Sequence, residues 1–297
     1  MTIKVRTLVP DFYAKFKCKA GACQHTCCQK WIIDVDEVSA QYYFQQKGKL
    51  GENLKANIVH DKAGYHFRLN KDGLCPFLQK DGLCKLILEL GEDSLCDICT
   101  AHPRFYEYFE GDKEDIELGG VGMCCEATCD LLLANEAHLQ FTLEGAAKPL
   151  SFAQVLKKIA VEMPDASEYV PNLDPQYLKF VLECMGKVEP IDKEWTRHIQ
   201  ELKHMLPDLQ PKLTQAVSTY SKTLFTKIFQ YILYRQLDQS FDISTTVILA
   251  YAQLNMAYIL LEYLVTGDLP ETIRRWSEEI EYDDENVDML LRLVAAL

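Results

Sequence analysis

The sequence predicts a mainly α protein: a cysteine-rich N-terminal domain of short irregular elements, followed by an α-helical bundle domain. Two observations predict it. Eleven of the twelve cysteines lie in the first 129 residues, in tight groups at Cys18, Cys23, Cys27 and Cys28, at Cys75 and Cys84, at Cys96 and Cys99, and at Cys124, Cys125 and Cys129. From about residue 131 onward, helix start and stop signals dominate instead. We therefore expect a cysteine-rich metal-binding domain over 1–140 and a helical domain over 141–297, and a chain of 297 residues, 48% hydrophobic, is long enough to bury a core in each.

Grouped thiols have three readings. A disulfide framework belongs to exported chains, but Met1 to Pro10 (MTIKVRTLVP) has neither an apolar h-region nor a small-residue cleavage site. The expected location is cytoplasmic, where thiols stay reduced and close grouping favours metal binding or catalysis. A cysteine acting as a small buried apolar residue is the expectation for Cys184 alone. For the eleven others, metal binding is the better account.

The first part is broken into short segments by Gly, Pro, Asp and Cys. The pentapeptide KDGLC occurs at Lys71–Cys75 and again at Lys80–Cys84, and each copy reads as an Asp-Gly turn that delivers a cysteine. In the second part, Ser151 is placed to cap a helix running to Met163, Asp174-Pro175 supplies a cap and a first-turn proline, and Pro207 is expected to end a helix that starts near Asp192. Leu224, Ile228, Tyr231 and Tyr234 recur at helical spacing, with Lys222, Lys227 and Gln236 as the polar positions of an amphipathic helix. Val247 to Val265 is apolar enough to suggest a membrane span, but Gln253, Asn255 and Glu262 interrupt it, so a buried core helix ended by Gly267 is expected and no membrane insertion. A net charge of −13 argues against a nucleic-acid partner, which would require a basic face.

The first cysteine group reads C-x4-C-x3-C-C. Cys27 and Cys28 are adjacent, so in extended backbone their side chains point to opposite sides. Ten or eleven thiols exceed the four of one zinc or one [4Fe-4S] centre, which leaves two centres or some structural thiols. Only Cys96 and Cys99 show the C-x2-C spacing of zinc knuckles, so iron-sulfur ligation suits the set at least as well as zinc. His25 and His102 are further candidate ligands, although such residues more often serve as surface or hydrogen-bonding groups. The segment ELGGVG (Glu117–Gly122) looks like part of a nucleotide-binding turn, but the charged EGDKED stretch precedes it, and it is expected to be a flexible approach to Cys124.

Taken in order, several motifs carry a family resemblance. Pro10-Asp11-Phe12-Tyr13 leads to FKC at Cys18, and C-x3-CC-x2-W follows from Cys23 to Trp31. Next come CPFL at Cys75, GLC ending at Cys84, LGEDSLCDICTAHPRF from Leu90 to Phe105, and GMCCEA before a Leu triplet. Over residues 8–135 the chain resembles the flagellin lysine-N-methylase family, and more distantly the small cysteine-cluster proteins related to zinc/iron-chelating domains. The resemblance implies transfer of methyl from S-adenosylmethionine to lysine ε-amines of flagellin, with a [4Fe-4S] cluster as cofactor and zinc as the alternative. It assigns the metal to Cys18, Cys23, Cys27, Cys28, Cys75, Cys84, Cys96, Cys99, Cys124 and Cys125, and places neither Cys129 nor Cys184. The C-x3-C-x2-C signature of radical enzymes is absent, since Cys28 directly follows Cys27.

A lysine amine must lose a proton before it attacks a sulfonium methyl group, because its ordinary pKa is about 10.4. Acidic and aromatic groups near the cysteines are the candidates for that task. We expect Glu126 and Tyr106 to be catalytic, with Tyr108 nearby, and Arg104 in the HPRF segment to clamp the cofactor carboxylate. The acids of WIIDVDE (Trp31–Glu37) are the reserve set. The alternative to an enzyme is a non-catalytic zinc- or iron-binding protein-interaction module, and an electron-transfer protein is the third reading.

Overall fold

The computed structural model describes residues 4–111 and 114–296. Two compact units divide the chain: Lys17–Pro103 forms one, and Met1–Phe16 joins Arg104–Leu297 in the other. The division expected at residue 140 falls elsewhere, because Gln140 opens a strand that pairs with the N-terminal strand and belongs to the same sheet. The smaller unit is thus inserted in sequence after the first strand, β1 (Val5–Pro10).

The Lys17–Pro103 unit contains β2 (Asp34–Val35), α1 (Glu37–Phe44), α2 (Gly48–Asn57), β3 (Ile58–Asp61), β4 (Gly64–Phe67), α3 (Lys85–Leu90) and α4 (Asp97–Ala101). β4 is the centre of a three-stranded antiparallel sheet in the order β2-β4-β3. Asp36 starts α1 by accepting the Ser39 N–H at 2.8 Å, and its other oxygen accepts the N–H of Asp97 at 3.0 Å. The fully buried Tyr43, Leu54, Phe67 and Phe77 form the core, and the Tyr43 hydroxyl donates to the carbonyl of Ser94 at 2.7 Å. Both KDGLC copies form the expected turns, with Gly73 at φ +74° and Gly82 at φ +78°.

The larger unit holds β1 together with β5 (Arg104–Phe109), β6 (Asp115–Val121), α5 (Glu126–Leu133), β7 (Gln140–Leu143) and β8 (Leu150–Ser151). Seven helices follow: α6 (Phe152–Lys158), α7 (Pro175–Met185), α8 (Lys193–Val217), α9 (Lys222–Arg235), α10 (Thr245–Thr266), α11 (Leu269–Glu279) and α12 (Asp284–Ala295). The strands form one sheet in the order β5-β6-β1-β7-β8, with β1 parallel to β6 and antiparallel to β7. Helix predominates as expected, but strands occur at 140–151, in the stretch where helix signals dominate the sequence. Two tyrosines fasten α9 to the sheet: Tyr231 donates to Val121 O at 2.7 Å, and Tyr234 reaches both Leu8 O at 2.8 Å and Gly119 O at 2.9 Å.

Several local expectations change. ELGGVG is no flexible approach, because all but its last residue lies in the buried strand β6. Its glycines make room for neighbours: a Cβ on Gly120 would lie 2.2 Å from the Phe105 ring, and one on Gly122 would lie 2.3 Å from the Tyr282 hydroxyl. The helix capped by Ser151 stops at Lys158 rather than Met163, and Ala160 turns to φ +56°. Pro207 does not end α8, which runs on through Pro211 to Val217. Burial of Trp195, Ile199, Leu202, Leu209 and Leu213 along one stripe outweighs the roughly 3 kcal/mol penalty of an interior proline. Lys227 and Gln236 are buried rather than solvated, and Lys227 donates to the Asn135 carbonyl at 3.3 Å.

α10 is the one helix among the described residues that is long and apolar enough to cross a membrane, yet 67% of its apolar window is buried in the protein. Two of the polar residues that interrupt its apolar run have partners. Asn255 accepts from the Trp276 indole at 2.7 Å, and Glu262 pairs with His198. Gly267 closes the helix at φ +68°, as its position predicts.

Candidate functional site

The cysteines separate between the two units. Cys18, Cys23, Cys27, Cys28, Cys75, Cys84, Cys96 and Cys99 lie in Lys17–Pro103, whereas Cys124, Cys125, Cys129 and Cys184 lie in the larger unit. The ten thiols assigned together by motif are therefore not all in one compact unit.

Within the smaller unit, backbone pairing draws the thiols together. The Cys75 N–H donates to Cys28 O at 2.8 Å, and Leu78 bridges to Cys84 across the second KDGLC turn. The sulfurs of Cys75 and Cys84 each accept backbone N–H groups two and three residues ahead, from Phe77 and Leu78 and from Leu86 and Ile87. Cys96 accepts the N–H of Cys99 in the same manner. This repeated N–H to sulfur geometry stabilises a thiolate by placing backbone dipoles against its charge.

These thiols also sense one another's charge. Cys28 is lowered to about 7 by its hydrogen bond with Cys27, against the effect of burial. Burial pushes Cys75 up to about 12, and the nearby Cys28 and Cys84 add to the rise. Cys96 is lowered chiefly by a hydrogen bond with Cys99, whose own thiol is driven upward by that bond, by burial, and by Cys96, Cys28 and Cys75. Five sulfurs within electrostatic reach thus resist joint ionisation unless a cation neutralises them. Soft donors, backbone N–H groups on sulfur and mutual repulsion fit a thiolate-bound metal. As they stand, no three His, Cys, Asp or Glu side chains among the described residues are spaced to hold a metal ion.

The remaining candidates of this unit lie around that group. Cys18 and Cys27 are exposed, and the Cys23 thiol faces the carbonyl of His25 at 3.4 Å. His102 is held near 4 by burial, hence neutral, with its ring 5.7 Å from Trp31. The acids of WIIDVDE, with Asp97 and His60, line a cavity of about 540 Å³, but both oxygens of Asp36 are taken up in starting α1 and α4.

In the larger unit, Arg104 opens β5 and lays its guanidinium over the Phe16 ring, 5.1 Å from the centroid, in hydrogen-bond contact with Tyr13. Tyr13 and Tyr106 place their hydroxyls 2.5 Å apart, and burial followed by this bond raises Tyr13 to about 12. Arg104 and Tyr106 thus share one aromatic cluster. Glu126 sits at the first turn of α5, behind Cys125, and Tyr108 donates to the buried Asp115. Cys124 hydrogen-bonds to Tyr282 and is pushed well up by burial, and Cys129 donates to Met123 O at 3.0 Å.

One group of residues carried no signal singled out in the sequence. Glu107, Arg235, Asp238, Glu281, Asp284 and Asp288 line a second cavity of about 460 Å³. Its acids come mainly from the run EEIEYDDENVD, and an acidic run reads as a solvated face until burial is known.

No protein-family profile matches the chain, and neither does any solved structure. Among curated proteins, a lysine-N-methylase of Salmonella typhimurium is 28% identical over 130 residues, 41% of this chain and 31% of that protein. A lysine-N-methylase of Salmonella choleraesuis matches to the same extent. The flagellar biosynthetic protein FliU of Salmonella muenchen is also 28% identical over 130 residues, there 75% of its length. The matched stretch spans about a third of the two lysine-N-methylases.

Proposed function

From a distant kinship with the flagellin lysine methylases, which bears out the resemblance read from the cysteine motifs, we propose that this chain is a protein lysine N-methyltransferase acting on flagellin. S-adenosylmethionine supplies the electrophilic methyl group. Arg104 is assigned to the methionine carboxylate of that cofactor. Tyr106, paired with Tyr13, and Glu126 are assigned to the proton that the lysine ammonium must lose. Cys28, Cys75, Cys84, Cys96 and Cys99 are assigned to a thiolate-bound metal, iron-sulfur ahead of zinc. The observation that supports this assignment is the mutual electrostatic influence of these five thiols, three of them accepting backbone N–H groups.

The test is anaerobic purification with iron, sulfide and zinc analysis, followed by mass spectrometry of flagellin co-expressed with the protein. Iron and sulfide with lysine residues heavier by methyl increments are the expected result. The coverage of about a third of the lysine-N-methylases favours a second reading, a non-catalytic zinc- or iron-binding interaction module. Stoichiometric zinc, colourless protein and unmodified flagellin would establish it. Arg104→Ala should weaken cofactor binding with metal content intact, and Glu126→Gln should slow transfer more than binding.

A further inference from the structure

The cavity bounded by β5, the C-terminal end of α9 and the start of α12 is lined by five carboxylates, Glu107, Asp238, Glu281, Asp284 and Asp288, and by one cation, Arg235. Acidic residues alone do not make a site. Glu281 is the second observation: it is 2% exposed, Ser277 donates to its Oε2 at 2.6 Å, and its Oε1 is buried without a hydrogen-bond partner. An unsatisfied buried carboxylate oxygen is costly to keep, and a donor supplied by a ligand would satisfy it.

Arg235 does not fill that role. Its Nη1 lies 3.4 Å from Glu107 Oε1, its guanidinium stacks 4.2 Å from the Phe105 centroid, and its Nε is buried with no partner. An anionic ligand is excluded by five carboxylates against one guanidinium. A divalent metal is disfavoured for two reasons: the oxygens do not converge into a ligating group of three, and a guanidinium already stands among them. A primary ammonium suits the arrangement, because its three N–H donors can be shared among separated carboxylates. Cys124 of the GMCCEA motif bonds to Tyr282, the residue after Glu281, so that motif lies beside residues of this cavity.

We propose that this cavity binds a primary alkylammonium group, carried by a peptidyl lysine or by a free diamine. The peptidyl source rests on the lysine-methylation reading above, while the preference for an ammonium does not. The unpartnered Arg235 Nε offers a donor for the amide carbonyl of a lysine-bearing segment.

The experiment is calorimetric titration of the full chain, without methyl donor, with N-acetyl-lysine methylamide, its uncharged norleucine counterpart, 1,4-diaminobutane and magnesium. The lysine amide or the diamine should bind and the norleucine amide should not, and whichever binds more tightly identifies the source. Glu281→Gln should weaken binding about tenfold or more, since it removes a charge-assisted bond. Asp284→Asn with Asp288→Asn, both at exposed positions of α12, should weaken it in a protein whose core is untouched. Equal binding of the norleucine amide, no effect of either variant, or preferential uptake of magnesium overturns the proposal. Amine binding in a protein that leaves flagellin unmodified retains the cavity and removes the transferase reading. Methylation by a protein that binds neither amine removes the cavity and retains the transferase.

Discussion

The two units spend their buried polar chemistry differently. In Lys17–Pro103 sulfur joins the buried Tyr43 hydroxyl, and two of the twelve buried core residues, Cys75 and Cys96, are themselves members of the thiol group. In the larger unit that chemistry is largely oxygen: Tyr231 and Tyr234 tie helix to sheet, Asn255 and Glu262 of α10 meet partners on α11 and α8, and Glu281 is left with one oxygen unsatisfied. The contrast has a physical cause. A small unit has little apolar area to bury and would gain most from the metal proposed above, whereas a large helical core can carry an imperfectly satisfied carboxylate.

The strongest test of this contrast is Cys96→Ser. Cys96 is fully buried, accepts the Cys99 N–H and hydrogen-bonds with the Cys99 thiol. On the metal reading proposed above, losing a ligand removes folding energy, so a destabilisation on the order of 3–5 kcal/mol is expected in Lys17–Pro103, with metal content falling. Hydrogen exchange read separately over the two units should show the smaller one open first. Uniform loss of protection along the whole chain, or full metal occupancy in Cys96→Ser, would break the comparison.

The sequence made the thiol unit legible because cysteine grouping and Asp-Gly turns are local signals, and the KDGLC turns and the caps at Asp174, Ser151 and Gly267 formed where expected. What it concealed was long-range. Nothing local shows that β1 pairs with both β6 and β7, which moves the unit boundary away from residue 140. A proline normally ends a helix, and only the buried stripe beyond Pro207 reveals that α8 continues. Gly119 and Gly120 read as a loop until the opposing strand brings Tyr106 and Phe105 over them. The acidic cavity collects residues from β5, α9 and α12, far apart in the chain, so no window of sequence contains it.

A second test strikes the sheet of the larger unit. Gly120→Ala sets a methyl group 2.2 Å from the buried Phe105 ring, which is itself held against Arg235. Overpacking of this kind costs about 1–3 kcal/mol. The loss should appear in urea unfolding of the larger unit with metal content unchanged; a silent variant would show that the Phe105 ring has room to move.

Third, Glu281→Gln should stabilise the protein at neutral and alkaline pH. Burial raises the Glu281 carboxyl to about 7, against an ordinary value of 4.5. Between those values the folded state binds more protons than the unfolded one, so stability falls as pH rises through that window and the full penalty is present above about 7. Removing the charge should return on the order of 1–3 kcal/mol at pH 8 and almost nothing at pH 4. Thermal unfolding at the two pH values measures it. A gain independent of pH would show that packing, not ionisation, limits stability here.

The smallest effect expected is that of Cys184→Ser, and its value lies in the pairing with Cys96→Ser. Both cysteines are fully buried, but Cys184 lies on α7 of the larger unit, where burial pushes its thiol up to about 11 and no other cysteine contributes to the shift. It behaves as a small apolar residue, as the sequence suggested. Serine replaces a weakly polar sulfur with a hydroxyl that needs a partner, although on a helix that hydroxyl can bond back to the carbonyl one turn earlier. The expected cost is about 1 kcal/mol, with iron, sulfide and zinc content unaltered. A difference of several kcal/mol between two equally buried Cys→Ser changes isolates what the thiol group adds beyond burial. Equal costs for the two would mean that Cys96, too, serves only to fill space.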